Sequence, residues 1–218
     1  MNRDEQPATA LMYIDKAVLE KLGPETPYFF SIYEAERTEV VLGRSCKIEE
    51  DVLTLHCEHD GVPVLRRAGG GGTVVLSKGM IIISVAGRST LQFHLREYMH
   101  AVNRRIIRAL EALGVQKLSL KGISDVALGD RKILGCSLYK TKDAALYQGS
   151  LLLNPDTGLF NRYLKHPGKE PDYRCGRNHG DFITTLAEAG YRIGTGELIR
   201  ELKRSFSQGS PWEHLERL

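Results

Sequence analysis

Residues 122–156 read GISDVALGDRKILGCSLYKTKDAALYQGSLLLNPD, and the architecture turns on this stretch. The β-prone runs at 125–128, 132–139 and 146–153 are punctuated by Gly129-Asp130 and Lys142-Asp143, dipeptides suited to turns, and Gly122 separates them from a run at 117–120. This is a block of strands. Working upstream, Leu95, Val102, Ile106, Ala109, Leu110 and Leu113 recur at helical spacing and Gly114 stands where a C-terminal cap belongs, which predicts a long helix over 95–113. Before it lie further strand-like runs at 28–33, 39–43, 62–66, 73–76 and 80–86. The last two are joined through Lys78-Gly79 and read as a hairpin directly after the four glycines Gly69–Gly72.

The chain is expected to open with an amphipathic helix carrying Ala10, Leu11, Ile14, Val18, Leu19 and Leu22, broken at Gly23-Pro24. It is expected to close with helices at 159–164, 181–189 and 197–206. The order helix, strands, long helix, strands, helices lacks regular strand–helix alternation. It therefore points to an α+β fold, a largely antiparallel or mixed β-sheet flanked by helices. At 218 residues one large domain over 1–206 with a C-terminal tail at 207–218 is the natural division. The tail holds the chain's one tryptophan, Trp212, and reads as loosely docked or frayed.

Composition narrows the function classes. Thirty Lys+Arg against 27 Asp+Glu leave a net charge of +3, too balanced for a phosphate-tracking surface, so nucleic acid is not an expected partner. The apolar run 80–86 is far too short to span a bilayer, and the MNRDEQP start resembles no signal peptide. Neither membrane nor secretion is expected. Cys46, Cys57, Cys136 and Cys175 are widely spaced, which fits reduced thiols in a cytoplasmic setting.

Two segments carry the chemistry. RRAGGGG, from Arg66 to Gly72, joins two fixed cations to a backbone without side-chain bulk, so peptide N–H groups can close on an anionic ligand such as an acyl-adenylate or nucleotide phosphate. It is not a Walker loop, since no Gly-Lys-Ser/Thr follows, and not a dinucleotide fingerprint, since a strand follows the glycines. The glycines alone also fit a flexible connection. In the second segment, Asp125 and Lys132 flank a turn and can face one cavity, the carboxylate holding Mg²⁺ and the ammonium neutralising a phosphate or polarising a carbonyl. Taken alone they equally suit a solvated hairpin. His56, Cys57 and His59, and likewise Cys175 and His179, lack a second ligand pair at zinc spacing and read as polar surface. Arg177, in the run YRCGRNHGD, either orders a loop or belongs to a cap and turn.

The combination of RRAGGGG with GISDVALGDRKILGCSLYKTKDAALYQGSLLLNPD resembles the catalytic domain of lipoate-protein ligases, in the fold family shared with biotin-protein ligases and octanoyltransferases. The resemblance runs from the first helix to about Phe206. It implies that Arg67 precedes a loop of Gly70, Gly71 and Gly72 closing over lipoyl and phosphate groups, that Lys132 touches the acyl carbonyl and α-phosphate, and that Asp125 stands near metal and nucleotide. The reaction it implies is ATP-dependent activation of lipoate or octanoate to an acyl-adenylate, with Mg²⁺, and transfer to a lysine of a lipoyl-carrier domain. Two departures stand out: Ser124 where the family often has Asn, and Gln148-Gly149 where it usually has His-Gly. Two-domain ligases of this family continue into a small C-terminal domain after the last helix, and the expectation is that a separate accessory polypeptide supplies that part or that the reaction does without it. Related octanoyltransferases take the acyl group from a carrier protein through a cysteine thioester without ATP. Cys136 is the candidate nucleophile for that alternative, because residues four apart on a strand share a face with Lys132; the cysteine-containing segment those transferases carry upstream of the lysine strand is absent, and a structural, buried Cys136 is the other reading. A non-catalytic binding subunit of the same fold is the remaining alternative.

Overall fold

The run MIIISVAGR at Met80–Arg88 is apolar without alternation, the pattern of a strand covered on both faces. The computed structural model describes residues 17–88, 95–213 and 215, and this strand sits inside its main sheet. In chain order the strands are β1 (Tyr28–Glu34), β2 (Glu39–Leu42), β3 (Val64–Arg66), β4 (Val74–Leu76), β5 (Met80–Arg88), β6 (Leu118–Lys121), β7 (Asp125–Leu128), β8 (Arg131–Lys140) and β9 (Ala144–Leu152). The helices are α1 (Ile48–Asp51), α2 (Thr54–Asp60), α3 (Leu95–Ala112), α4 (Gly158–Tyr163), α5 (His179–Phe182) and α6 (Thr195–Phe206). Residues 17–19 are helical; the expected first helix otherwise involves Ala10, Leu11 and Ile14, which lie outside the described residues.

Six strands form an antiparallel sheet in the order β1-β5-β9-β8-β7-β6, and β3-β2-β4 form a smaller mixed one. Helices α3 and α6 cover one face of the large sheet. There Ile81, Ile83 and Val85 of β5 meet Val102, Ile106 and Leu110 of α3 and Leu198, Leu202 and Phe206 of α6. The alternate residues Met80 and Ile82 point the other way, into a second cluster with Val40, Leu42 and Val75 of the small sheet and Phe160, Tyr163 and Phe182. Fully burying each such aliphatic side chain contributes about 1.5–3 kcal/mol, so β5 is the seam on which both layers depend. The α+β expectation holds, as does the long helix, which ends in a left-handed Gly114 (φ 86°) with Val115 N–H returning to the Leu110 carbonyl.

Three expectations need correction. Residues 73–86 do not form a hairpin: β4 pairs with β2 in the small sheet while β5 pairs with β1 and β9 in the large one. Gly79 is the corner between sheets, at φ 87°, and its carbonyl receives the N–H groups of Leu153 and Asn154. The helix expected at 181–189 is limited to the single turn α5. Ile183 is extended (ψ 163°) and bridges Lys132, Thr184 N–H donates to the Lys132 carbonyl, and Leu186 N–H to that of Leu152. Three consecutive β-branched residues, Ile183-Thr184-Thr185, favour that extension. Trp212 is not loosely docked: it is 1% exposed and belongs to the α3-side cluster.

Candidate active site

The β7–β8 hairpin brings Asp125 and Lys132 together, but through a β-bulge. Asp125 pairs with Gly135 and Val126 with Leu134, and then Ala127 pairs with Lys132, leaving Ile133 as the extra residue. Consecutive Ile133 and Leu134 therefore both enter the α3-side cluster, and Lys132 is thrown to the opposite face beside Asp125. Its Nζ stands 2.8 Å from Asp125 Oδ1. The lysine stem lies across Gly135, where a Cβ would fall 2.7 Å from Nζ and 2.8 Å from Cε. Gly135 is thus the groove in which the ammonium rests.

The Asp125 carboxylate is 6% exposed and the Lys132 side chain 26%, so the ion pair presents its cation outward. Asp125 Oδ1 also accepts from Ser124 Oγ at 3.3 Å, and Oδ2 from the Tyr173 hydroxyl at 2.7 Å. Mg²⁺ prefers carboxylate oxygens with room for several waters in octahedral geometry. The buried carboxylate is instead occupied on both oxygens, and among the described residues no group of three or more His, Cys, Asp or Glu side chains is placed to hold a metal ion. In this structure the two Asp125 oxygens are engaged by Lys132, Ser124 and Tyr173, so the carboxylate holds the lysine ammonium in place.

The glycine loop rests on the strand that carries Lys132. A Cβ on Gly69 would meet Ser137 Oγ at 2.8 Å, and one on Gly43 would overlap the Gly71 carbonyl, so glycine at both positions lets the loop nest between β2 and β8. Arg67 is 7% exposed and shapes the loop from within, donating to the carbonyls of Val41 (3.3 Å), Gly70 (2.7 Å) and Gly72 (2.8 Å). Gly71 turns at φ 88°. Arg66 likewise grips the carbonyls of Gly43, Arg44 and Cys46. The two arginines therefore act on backbone carbonyls, and with Arg67 drawing two of them inward, the loop's backbone is held in one shape.

Cys136 does not join Lys132. The bulge breaks the alternation on which shared orientation was expected, and Cys136 packs against the α3-side cluster. Its thiol donates to the Ser124 carbonyl at 3.0 Å, with Asn103 Nδ2 3.8 Å from the sulfur. Burial pushes the thiol up to about 12, which leaves almost no thiolate near neutral pH. Gln148 pairs with Ser137 on β8 and Ser84 on β5, beside the loop's resting place. His56, Cys57 and His59 lie on α2, where Cys57 is buried in the small-sheet cluster and His59 Nδ1 meets Asp60. Cys175 donates its thiol to the Asp172 carbonyl, and His179 stacks on Phe160.

Sequence reasoning missed Tyr173, which lies 48 residues from Asp125 with no motif linking them. It belongs to the segment joining α4 to α5, in a 3-10 turn over Asp172–Arg174. Arg177 orders that segment, donating to the Arg174 and Tyr173 carbonyls and to Asp130 in the β7–β8 turn. A cavity of about 490 Å³ lined by Leu153, Asn154, Tyr191, Arg192 and Thr195 contains none of the residues expected to carry chemistry.

Fold and site together define an α+β domain in which one strand, β8, carries a fixed ammonium and also supports an arginine-shaped glycine loop. The profile described as lipoyl protein ligase A/B catalytic domain matches residues 7–207, and the chain belongs to that family. Lipoate–protein ligase 1 of Staphylococcus aureus is 28% identical over 163 residues, 74% of this chain and 48% of that protein. The chain thus spans about half the length of this curated relative. Among solved structures, the bi-partite lipoate protein ligase of Thermoplasma acidophilum superposes with a TM-score of 0.77 at 20% identity, covering 93% of this chain and 83% of the other. A lipoate-protein ligase A bound with ATP gives 0.75 at 21% identity, covering 93% and 85%. At these identities the likeness is one of fold.

Proposed function

We propose that the chain activates lipoate or octanoate with ATP, forming an acyl-adenylate, and passes the acyl group to the ε-amine of a lysine on a lipoyl-carrier domain. The observation that carries this reading is the outward-facing Lys132 ammonium, held by Asp125 in the groove of Gly135 on the same strand, β8, against which the Arg67-shaped loop rests. When the acyl carboxylate attacks the α-phosphorus and pyrophosphate leaves, negative charge grows on the α-phosphoryl oxygens. A fixed ammonium at that point stabilises the charge without reorganising. In the second step the same ammonium polarises the acyl carbonyl while the acceptor amine attacks and AMP departs. The loop glycines 70–72 offer main chain without Cβ atoms to the acyl chain and phosphate. Mg²⁺, were it supplied with the nucleotide, would offset phosphate charge as the adenylate forms. The ATP-bound and bi-partite relatives support nucleotide use and the option of a separate accessory polypeptide.

The octanoyltransferase alternative requires a thiolate at Cys136, and the partly buried, hydrogen-bonded thiol on the opposite face of β8 from Lys132 disfavours it. The test is to incubate the chain with lipoate, MgATP and carrier domains, with and without an accessory small domain, and to follow adenylate and modified lysine by mass spectrometry. Carrier modification from an octanoyl carrier protein without ATP, through a hydroxylamine-labile adduct on Cys136, would overturn the ligase reading.

A further inference from the structure

An aspartate carboxylate turns easily about its terminal torsion, which is broad rather than three-fold. Held at one oxygen only, Asp125 would swing and carry the Lys132 ammonium with it. The second oxygen is fastened by the Tyr173 hydroxyl at 2.7 Å, and Tyr173 is itself held from several sides. Its ring packs on Phe182, centroids 5.0 Å apart. Its carbonyl takes Arg177 Nη2 at 2.7 Å, and the same guanidinium grips Asp130 in the turn between Asp125 and Lys132. Burial raises the phenol's pKa far above its ordinary value, so it remains a donor throughout the working pH range. The Ile183–Lys132 bridge and the Thr184 N–H to Lys132 carbonyl bond pin the lysine backbone to the residues that leave α5, next to the ring partner Phe182.

We propose that Tyr173 is a positioning residue for Lys132: its hydroxyl fixes the plane of the Asp125 carboxylate and thereby the direction in which the ammonium meets the reacting acyl and phosphoryl groups. This rests on the acyl-adenylate reading. It also makes the 165–182 segment part of the catalytic apparatus, since docking of that segment sets the lysine.

The test is a double-mutant cycle on the full chain with Tyr173→Phe and Asp125→Asn, reading pyrophosphate release with lipoate and ATP. Tyr173→Phe should lower kcat about tenfold, the scale of one hydrogen bond to a charged group, with both KM values within about twofold in a variant still fully folded at the assay temperature. The double variant should be no slower than Asp125→Asn alone, because Tyr173 acts through that carboxylate. Additive losses, or a raised KM at unchanged kcat, would show direct ligand contact or simple packing and overturn the proposal. A second readout needs no turnover: acetylation of Lys132 by acetic anhydride, mapped by peptide mass spectrometry. Both single variants should label faster than wild type, and the double variant no faster than Asp125→Asn. Unchanged labelling in Tyr173→Phe sinks the positioning role, whereas the expected labelling in an enzyme that makes no adenylate sinks only the activity.

Discussion

At the scale of single residues, the site depends on where one ammonium sits, and Gly135 tests this without touching it. A methyl added there would meet the far end of Lys132, at 2.7 Å from Nζ, and a flexible stem moves aside cheaply. Gly135→Ala should therefore melt within a few degrees of wild type yet lose adenylation almost as Lys132→Ala does, on the order of a hundredfold. Full activity in Gly135→Ala would show that the groove is not what aims the lysine. Cys136→Ser should keep most adenylation and transfer, with a stability loss of about 1–3 kcal/mol from burying a hydroxyl. In wild type, the Cys136 thiol, raised to about 12 by burial, should resist iodoacetamide at pH 8 while exposed Cys175 reacts; rapid alkylation of Cys136 would refute its shielding. The meeting of Asp125 and Lys132 was legible because strand, turn and strand placed the two close in sequence. Arg67 was legible as a loop residue but not in its aim, because nothing in RRAGGGG distinguishes a guanidinium that binds phosphate from one that binds the loop's own carbonyls. Tyr173 left no trace, since its partner is remote in sequence.

At the scale of elements, the long helix and most strands follow from periodicity, whereas the false hairpin and the missed bulge share one cause. Local pattern reports which residues prefer to be extended or helical, but not which strand they pair with. Residues 73–86 are two strands as expected, and only the tertiary partners send them to different sheets. The bulge at Ile133 is equally silent in sequence, yet it alone separates Lys132 from Cys136. Helices α2 and α4 show what holds such short elements in place. Arg162 binds Asp60 through two nitrogens, and His59 and the Tyr163 hydroxyl add to the same carboxylate. Hydrogen bonds from Arg162 above all hold the Asp60 pKa well below the ordinary carboxylate value. Because the folded value is depressed, the stabilisation is complete above the unfolded pKa, roughly 3.9, and is lost as pH falls through the folded one. Asp60→Asn should thus melt lower than wild type at pH 7, and the gap should narrow steadily below about pH 4. A gap independent of pH would show that the carboxylate's charge is not what ties α2 to α4.

At the scale of the whole molecule, one face of the large sheet is structural and the other chemical, and the chain's end belongs to the structural one. Trp212 enters the cluster between β5 and α3, donating its indole N–H to the Tyr98 carbonyl at 3.0 Å with the two rings edge to face. Gly87 leaves the space the indole fills, since a Cβ there would lie 2.7 Å from the six-membered ring. In sequence, SQGSPWEHLERL is polar around one aromatic, and its place in the core depends on that gap in a strand far upstream. Removing so large a buried side chain costs about 3–5 kcal/mol. For a chain of this size each kcal/mol lowers Tm by roughly 2–4 °C, so Trp212→Ala should melt about 6–20 °C lower. Lys132, Asp125 and Tyr173 lie across the sheet from the lost contact, so adenylation per folded molecule at a temperature well below the new midpoint should stay near wild type. A variant that melts normally would return the tail to the surface, and one that stays folded but inactive would mean that the two faces are mechanically coupled through β5.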